Sequence, residues 1–362
     1  MQYEEFRRSV KVEERLEWRE LATFVPNKHL PIYNWFYYKE GFAKELVEKL
    51  IEMFSLKKGD TVLDPFCGSG TTLLACKEHG INSIGLDVLP TAVFASSVKA
   101  ASYDAEKLRS EAKLLFRRKF RKLNWEFPKI MRAMINKYAL DDIAFFSDII
   151  GGLENKDFFM LALLNASIKV SYAWKDGGVI KIKKHPVPPL RKLFQRVVYR
   201  MIKEVENSAA GTVSVFQRDV RDTKLQDNSI DAIITSPPYL NNIDYTKLYA
   251  IEDFFMKMRH VPTVRSFLGI RDGISRDAYF EDMESSLKEM YRVCKQGAHV
   301  AIVVGNAYIN EEVESDFIIS HMASKAGFEI EKILVLNKRF ALENRTIKVG
   351  TLRESLIILK RP

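Results

Sequence analysis

The sequence predicts an α/β chain built on a doubly wound, mostly parallel sheet of seven strands, and three observations carry that prediction. Short apolar runs of strand length alternate with amphipathic stretches at helical spacing, the rhythm of strand–helix–strand units. Glycines or acids follow several of those runs, as they do where a strand ends at a ligand. The rhythm stops in residues 101–208 and then resumes. That block is mostly helical, basic and aromatic, so it reads as an insertion between two halves of one domain.

The elements follow in order. Residues 1–30 form an irregular, charged arm, and residues 31–100 the first half of the domain. Phe42, Leu46, Val47, Leu50, Ile51 and Phe54 share one helical face and predict a helix over Gly41–Phe54. A turn at Lys57–Asp60 leads to a short buried strand, Thr61–Leu63. Thr71–His79 is a helix ended by Gly80, and Ser83–Leu86 is a strand stopped by Asp87. Pro128, Gly151-Gly152, Gly177-Gly178 and Pro186–Pro189 break the block 101–208 into helices. Residues 209–362 form the second half. Val213–Phe216, Ile230–Thr235 and His299–Val304 are strands; Tyr249–Met258, Asp277–Val293 and Asp316–Ala326 are helices; Lys295-Gln296-Gly297 is a turn. Lys332–Leu336 and Ser355–Leu359 close the chain as a hairpin. No internal repeat is present.

Apolar residues make up 47% of the chain, enough for a sizeable core. No run of eighteen apolar residues occurs, so no membrane span is expected. The first residues, Met1 to Arg8, contain no apolar signal region, which predicts a cytoplasmic protein. Cys67, Cys76 and Cys294 lack metal-ligand spacing; no metal is expected, and the odd, low count suits a reducing compartment. The net charge is +9. It is concentrated in two segments. Residues 114–137 hold Arg117, Arg118, Lys119, Arg121, Lys122, Lys129, Arg132 and Lys137 against one acid, Glu126. Residues 179–203 hold Lys181, Lys183, Lys184, Arg191, Lys192, Arg196, Arg200 and Lys203 with no acid. These are phosphate contacts or solvated helix faces, and the motifs below favour the first.

The string Asp64-Pro-Phe66-Cys67-Gly68-Ser69-Gly70-Thr71-Thr72 follows the first strand. Gly68 and Gly70 suit positive φ and the close approach of a ligand to the backbone. Ser69, Thr71 and Thr72 are placed to cap the next helix. Asp87, with Val88 beside it, ends the next strand 23 residues after Asp64, where an acid typically accepts two ribose hydroxyls. The triphosphate loop Gly-x-x-x-x-Gly-Lys-Ser/Thr is absent. Cys67 has no His base near it in sequence and reads as packing. The second motif, Ser236-Pro237-Pro238-Tyr239, follows the strand Ile230–Thr235. Two prolines hold the backbone extended and remove two N–H donors, leaving a rigid polar pocket for a flat, amino-bearing ring.

This pairing resembles the S-adenosylmethionine-dependent amino-methyltransferases of nucleic acids, over residues 31–100 and 209–362. The resemblance implies a Rossmann-like class I methyltransferase fold and S-adenosyl-L-methionine as cofactor. It is to be held by Asp64, Phe66, Cys67, Gly68, Ser69, Gly70, Thr71, Asp87, Val88 and Asp219. Asp219 would meet the adenine amino group, its alternative being a surface turn. The segment Asn34–Val47, with Phe42, resembles the lead-in that closes over the methionine end. Gly305-Asn306 resembles a motif of the pocket wall. Ser236, Pro237, Pro238 and Tyr239 would be catalytic. An exocyclic amine is a poor nucleophile because its lone pair is delocalised. Acceptors at Ser236 Oγ and the Pro237 carbonyl free that lone pair for in-line attack, and Tyr239 stacks on the extruded base. Asn241, Asn242, Asp244 and Tyr245 either shape the pocket or begin the next helix. Ser-Pro-Pro-Tyr is usual for N4-cytosine enzymes, whereas Asp or Asn in the first place usually marks N6-adenine or guanine N2 enzymes. Cytosine C5 chemistry needs a Pro-Cys pair, which the chain lacks.

The insertion is the expected substrate-recognition region. Trp125, Phe127, Tyr138, Tyr172 and Trp174 among its cations suit unstacked bases or belong to its core. A likeness of the whole chain to the archaeal ribosomal-RNA branch of the family favours N4-cytidine methylation, single or double, in structured RNA. Site-specific methylation of DNA at cytosine N4 is the alternative. An N6-adenine enzyme and an inactive nucleic-acid-binding subunit stand behind both, the latter opposed by the intact Asp87 and Ser236–Tyr239.

Overall fold

The computed structural model describes residues 3–176, 179–205, 211–240, 249–259, 275–309, 311–343 and 347–362. The N-terminal arm is ordered into α1 (Tyr3–Ser9), β1 (Val12–Glu14) and short 3-10 turns that reach Trp35. There follow α2 (Lys44–Met53), β2 (Thr61–Asp64), α3 (Thr71–Glu78), β3 (Asn82–Asp87) and α4 (Pro90–Ala100). The block after residue 100 holds α5 (Ala105–Arg117), α6 (Lys129–Met134), α7 (Lys137–Ile150), α8 (Lys156–Lys169), a hairpin of β4 (Ala173–Asp176) and β5 (Val179–Ile182), and α9 (Leu190–Glu204). The remainder is β6 (Val213–Gln217), β7 (Ile230–Thr235), α10 (Ala250–Met258), α11 (Arg276–Val293), β8 (Cys294–Gly305), β9 (Ala307–Ile309), β10 (Glu311–Val313), α12 (Ser315–Ala326), β11 (Glu329–Glu343) and β12 (Ile347–Lys360).

The fold class is the one the sequence predicts, with one strand more. Among the described residues the central sheet has eight strands in the order β1-β11-β12-β8-β7-β2-β3-β6. Only the β11–β12 and β12–β8 pairings are antiparallel. The extra strand comes from the arm. Lys11 O accepts from Ile333 N, and Arg15 N donates to Val335 O. An edge strand that pairs through its backbone needs no apolar alternation, so Val12-Glu13-Glu14 gives no periodic signal. The closing strands are also longer than their apolar cores, because their outer halves pair with each other beyond the reach of β8. The expected turn at residues 295–297 is a bulge inside β8. Ile230 pairs with Cys294 and Ala232 with His299, and Gly297 takes φ 80°.

Alternate residues of the central strands enter two cores. Val62, Ala232, Ile234, Ala301 and Val303 meet Leu46, Val47 and Leu50 of α2 and Ala75 and Cys76 of α3. Leu63, Ile233, Val300 and Ile302 meet Met283, Leu287 and Met290 of α11 and Phe317 of α12. A third core joins α4 to α9 with α10, Trp35 and Phe36. The basic segments are not helical throughout: residues 118–128 run without regular structure, and Lys181 lies on β5. Paired strands replace helix at residues 173–182, a change that runs of four residues do not announce.

Two crossovers leave β2 in opposite senses. The chain runs from β2 outward to β3 and β6, then returns to β7 on the other side of β2. A crevice opens at the carboxyl ends of strands where the order reverses in this way, and the two motifs lie at the ends of β2 and β7.

Candidate active site

A cavity of about 540 Å³ fills that crevice. Its lining includes Asp64, Phe66, Cys67, Gly68, Ser69, Thr71, Asp87, Val88, Asp219, Ser236, Pro237, Pro238 and Tyr239. Of the residues singled out in the sequence for cofactor or catalysis, only Gly70 lies outside the lining. It acts from behind: at φ 75° it starts α3, and a Cβ there would fall 2.8 Å from Ser96 Cβ. Gly68 takes φ 49°, and a Cβ on it would sit 2.9 Å from the Tyr38 ring. Both positions require glycine.

The hydroxyls after the glycines do not cap α3. Gly70 is the N-cap residue and no side chain bonds the helix end. Thr71 Oγ1 accepts from Asn27 Nδ2 at 3.3 Å, and Thr72 Oγ1 donates to Ile234 O at 3.3 Å. They tie the loop to the lead-in segment and to β7 instead. Ser69 Oγ is buried with no partner among the described residues, while its carbonyl accepts from Lys99 Nζ at 2.5 Å. A buried hydroxyl left over at the wall of a cavity fits a site that takes a polar ligand.

Two acids face the cavity from the strand ends. Asp64 Oδ1 accepts from Thr235 Oγ1 at 2.6 Å and from Phe66 N at 3.2 Å. The bond to Thr235 joins the ends of β2 and β7. Asp87 accepts from Gly68 N at 2.9 Å and from Leu89 N at 2.8 Å. Burial pushes each carboxyl up to about 6. A carboxylate accepts about four hydrogen bonds in all, so Asp87 retains capacity for a pair of ligand hydroxyls. Burial also raises the Cys67 thiol well above its ordinary value, and it packs beside Ser96. Asp219 lines the cavity but engages Arg221, which also bonds Asp282 Oδ1 at 2.6 Å.

The tetrapeptide is fixed at each polar residue the structure pairs. Ser236 Oγ donates to Val303 O at 3.1 Å, which commits its proton and leaves its lone pairs to accept. Pro238 O accepts from Tyr279 OH at 2.9 Å. Tyr239 OH donates to Glu354 Oε1 at 2.8 Å. Its ring lies over Gly305, where a Cβ would come within 2.8 Å of Cδ2 and Cε2. Asn306, beside it, accepts from Asp316 N through Oδ1 at 3.4 Å. Phe42 lines the cavity from the lead-in segment. Asn241, Asn242, Asp244 and Tyr245 lie outside the described residues.

Tyr38 and Glu40, within the expected lead-in segment 34–47, join the lining, whereas sequence reasoning assigned no role to Arg218, Asn337, Arg339 and Glu354 there. Tyr38 covers Gly68 and stacks on Tyr249 with centroids 5.5 Å apart. Its string, Tyr37-Tyr38-Lys39-Glu40-Gly41, carries a usable signal of aromatic and small residues in the lead-in. The last three carry none, since they come from strands remote in sequence. Among the described residues no group of three or more His, Cys, Asp or Glu could hold a metal, and no helix is long and apolar enough to cross a membrane.

Residues 7–96 and 230–361 match the N6/N4 methyltransferase family, described as DNA methylase. The Type II methyltransferase M.BsoBI of Geobacillus stearothermophilus is 28% identical across 95% of this chain and 88% of its own length. The Type II methyltransferase M.AvaI of a Nostoc species is 25% identical across 99% and 92%. A tRNA (guanine(10)-N2)-dimethyltransferase of Methanothermobacter thermautotrophicus is 30% identical, but across only 22% of this chain and 24% of its own. The family match takes in β2 and β7, whose ends carry the two motifs, and skips residues 97–229. The chain belongs to the N6/N4 DNA methylase family, whose cofactor is S-adenosyl-L-methionine.

Proposed function

We propose that the protein is a site-specific DNA methyltransferase acting on the exocyclic N4 amine of cytosine. The observation that carries this is Ser236 Oγ, turned into an acceptor by its bond to Val303 O at the end of β7, beside the cofactor crevice. Structured RNA, favoured by the sequence resemblance, yields to DNA. The family is described as DNA methylase, and the relatives matched along nearly the whole chain are Type II methyltransferases, whereas the RNA-modifying relative matches a fifth of it. Cytosine rests on Ser236 in the first place of the tetrapeptide.

The cofactor supplies an electrophilic sulfonium methyl group. Asp87 receives the ribose hydroxyls; Gly68, Ser69 and Phe66 form the cradle; Asp219, held by Arg221, stands at the adenine end. Ser236 Oγ and the Pro237 carbonyl accept the two hydrogens of the amine and favour a pyramidal nitrogen. Tyr239, anchored by Glu354, offers its ring as the platform for the base. The residues 101–208 carry the target-recognition surface.

The test is transfer of labelled methyl to unmethylated DNA and, separately, to unmodified RNA, followed by digestion to nucleosides and mass spectrometry. Label in N4-methyldeoxycytidine, lost by at least ~100-fold in Ser236→Ala with cofactor affinity kept, supports the proposal. Label in RNA alone, in N6-methyldeoxyadenosine, or undiminished in the variant refutes it.

A further inference from the structure

We infer that Arg339 reads the acceptor edge of the extruded base, through a frame made by Asn337 and Glu354, and so makes the pocket specific for cytosine. The inference rests on the amine-methylating reading above and names a specificity-determining residue for it.

The placement follows from strand register. Asn337 on β11 lies directly opposite Glu354 on β12, and Arg339 stands two residues further along the same face. All three line the cavity that holds Ser236 and Tyr239. The alternate residues point the other way and are used there. Lys338 pairs with Glu14, and Arg353 donates to Asp316 Oδ2 at 2.6 Å. The hairpin thus spends the cations of one face on holding the sheet and presents Arg339 to the cavity.

Glu354 gives the wall its polarity. Its Oε1 accepts from Tyr239 OH at 2.8 Å, its carboxylate also takes a bond from Asn337, and the positive charge of Arg339 acts on it. Burial raises its carboxyl from the ordinary value. Around it in the cavity lie Asp64, Asp87, Asp219, Arg218, Lys39 and Glu40. A carboxylate fixed beside Tyr239 repels the ring acceptors of a base. The acceptor edge of a base is therefore turned from Glu354 toward the guanidinium.

The chemistry of the two candidate bases differs there. Cytosine carries N3 and O2 side by side next to its amine, two acceptors that match the planar fork of a guanidinium. Adenine carries N1 next to its amine and then a carbon bearing hydrogen. One donor of the fork would be left unmatched. A site built to bond two acceptors rejects a ligand that lacks one, because its own polar group is then stranded.

The experiment uses the full chain and unmethylated duplex DNA, with single-turnover methyl transfer read as nucleosides. The variants are Arg339→Ala and Arg339→Lys, and cofactor affinity is measured for each by calorimetry. Arg339 is solvent-exposed, so both variants keep the fold. The expected result is N4-methyldeoxycytidine from the parent, a ~10- to 100-fold slower transfer in Arg339→Ala at unchanged cofactor affinity, and no recovery in Arg339→Lys. Lysine keeps the charge but not the fork. Recovery by lysine, or an alanine variant within about twofold of the parent, overturns the inference while leaving the amine reading intact. N6-methyldeoxyadenosine from the parent, or no transfer to DNA, overturns the proposed function, and this inference with it.

Discussion

Asp87 is held between two demands. It is buried, and its oxygens already accept from Gly68 N and Leu89 N. Burial puts its carboxyl at about 6, and Asp64 behaves alike. The sign follows from proton counting. Between about pH 4 and 6 the folded chain retains protons that the unfolded chain has released, so these two groups stabilise the fold most at the acid side of that window. Their contribution falls as pH rises through 6 and is level above it. If Asp87 receives the ribose hydroxyls as proposed, they donate to its ionised form and binding runs the other way. The S-adenosylmethionine dissociation constant should tighten ~10-fold from pH 5 to 6.5, while the melting temperature of the ligand-free chain gains nothing from these two groups over the same range. Lys99, held down to about 7 by burial, titrates above that window. Asp87→Asn should bind weakly with a flat pH profile. A flat profile in the parent, measured by calorimetry, would remove Asp87 from the ribose.

At the level of elements, the cofactor loop is set by how closely α3 lies on β3. A Cβ on Gly85 would fall 2.5 Å from Leu73 Cδ1 and 3.1 Å from Cys67 Sγ. Gly85→Ala therefore overpacks the helix against the strand and pushes the loop outward. It should cost about 1–3 kcal/mol in urea unfolding and weaken cofactor binding at the same time. A loss below about 0.5 kcal/mol with full binding would mean that the helix relaxes freely away from the strand. The same packing marks where the sequence stops being legible. The strand Ile230–Thr235 is readable to its ends, and α11 to within one residue, because apolar period and cap coincide; Ser275 Oγ accepts from Ala278 N. The edge strand β1 and the outer halves of β11 and β12 are not, since backbone pairing and scattered polar contacts hold them without an apolar period. The two motifs are legible because glycine and proline speak through backbone geometry at their own positions. Glu354, Asn337 and Arg339 are not, because ordinary polar residues become a site only when register sets them on one face. The hydroxyls at 71 and 72 look like caps and serve as ties, since the αL turn at Gly70 already starts the helix.

The whole molecule joins the crevice at the ends of β2 and β7 to a basic, aromatic module, and the joint is visible. Tyr38 covers Gly68 and stacks on Tyr249; Lys175 of the β4–β5 hairpin lies 3.7 Å above the Tyr249 ring and pairs with Glu252 at 2.8 Å. Next to Lys175, Trp174 is 63% exposed, and Tyr138 on α7 is 83% exposed. Arg118, Lys119 and Lys122 are exposed along the stretch that leaves α5 at Arg117. Large aromatics left this open beside clustered cations suit a polyanion that also offers flat faces. If this surface meets phosphate, each cation removed must release fewer counterions. Alanine at Arg118, Lys119 and Lys122 together should weaken duplex binding and reduce the slope of log affinity against log salt by about 0.9 for each phosphate no longer neutralised, with S-adenosylmethionine affinity unchanged. Trp174→Ala should weaken binding without altering the slope, because it removes a face and no charge. An unchanged slope in the triple variant would assign those cations to solvated surface and move the DNA track to residues 179–203. A fall in cofactor affinity in Trp174→Ala would instead mean that the hairpin reports to the crevice through Lys175 and Tyr249.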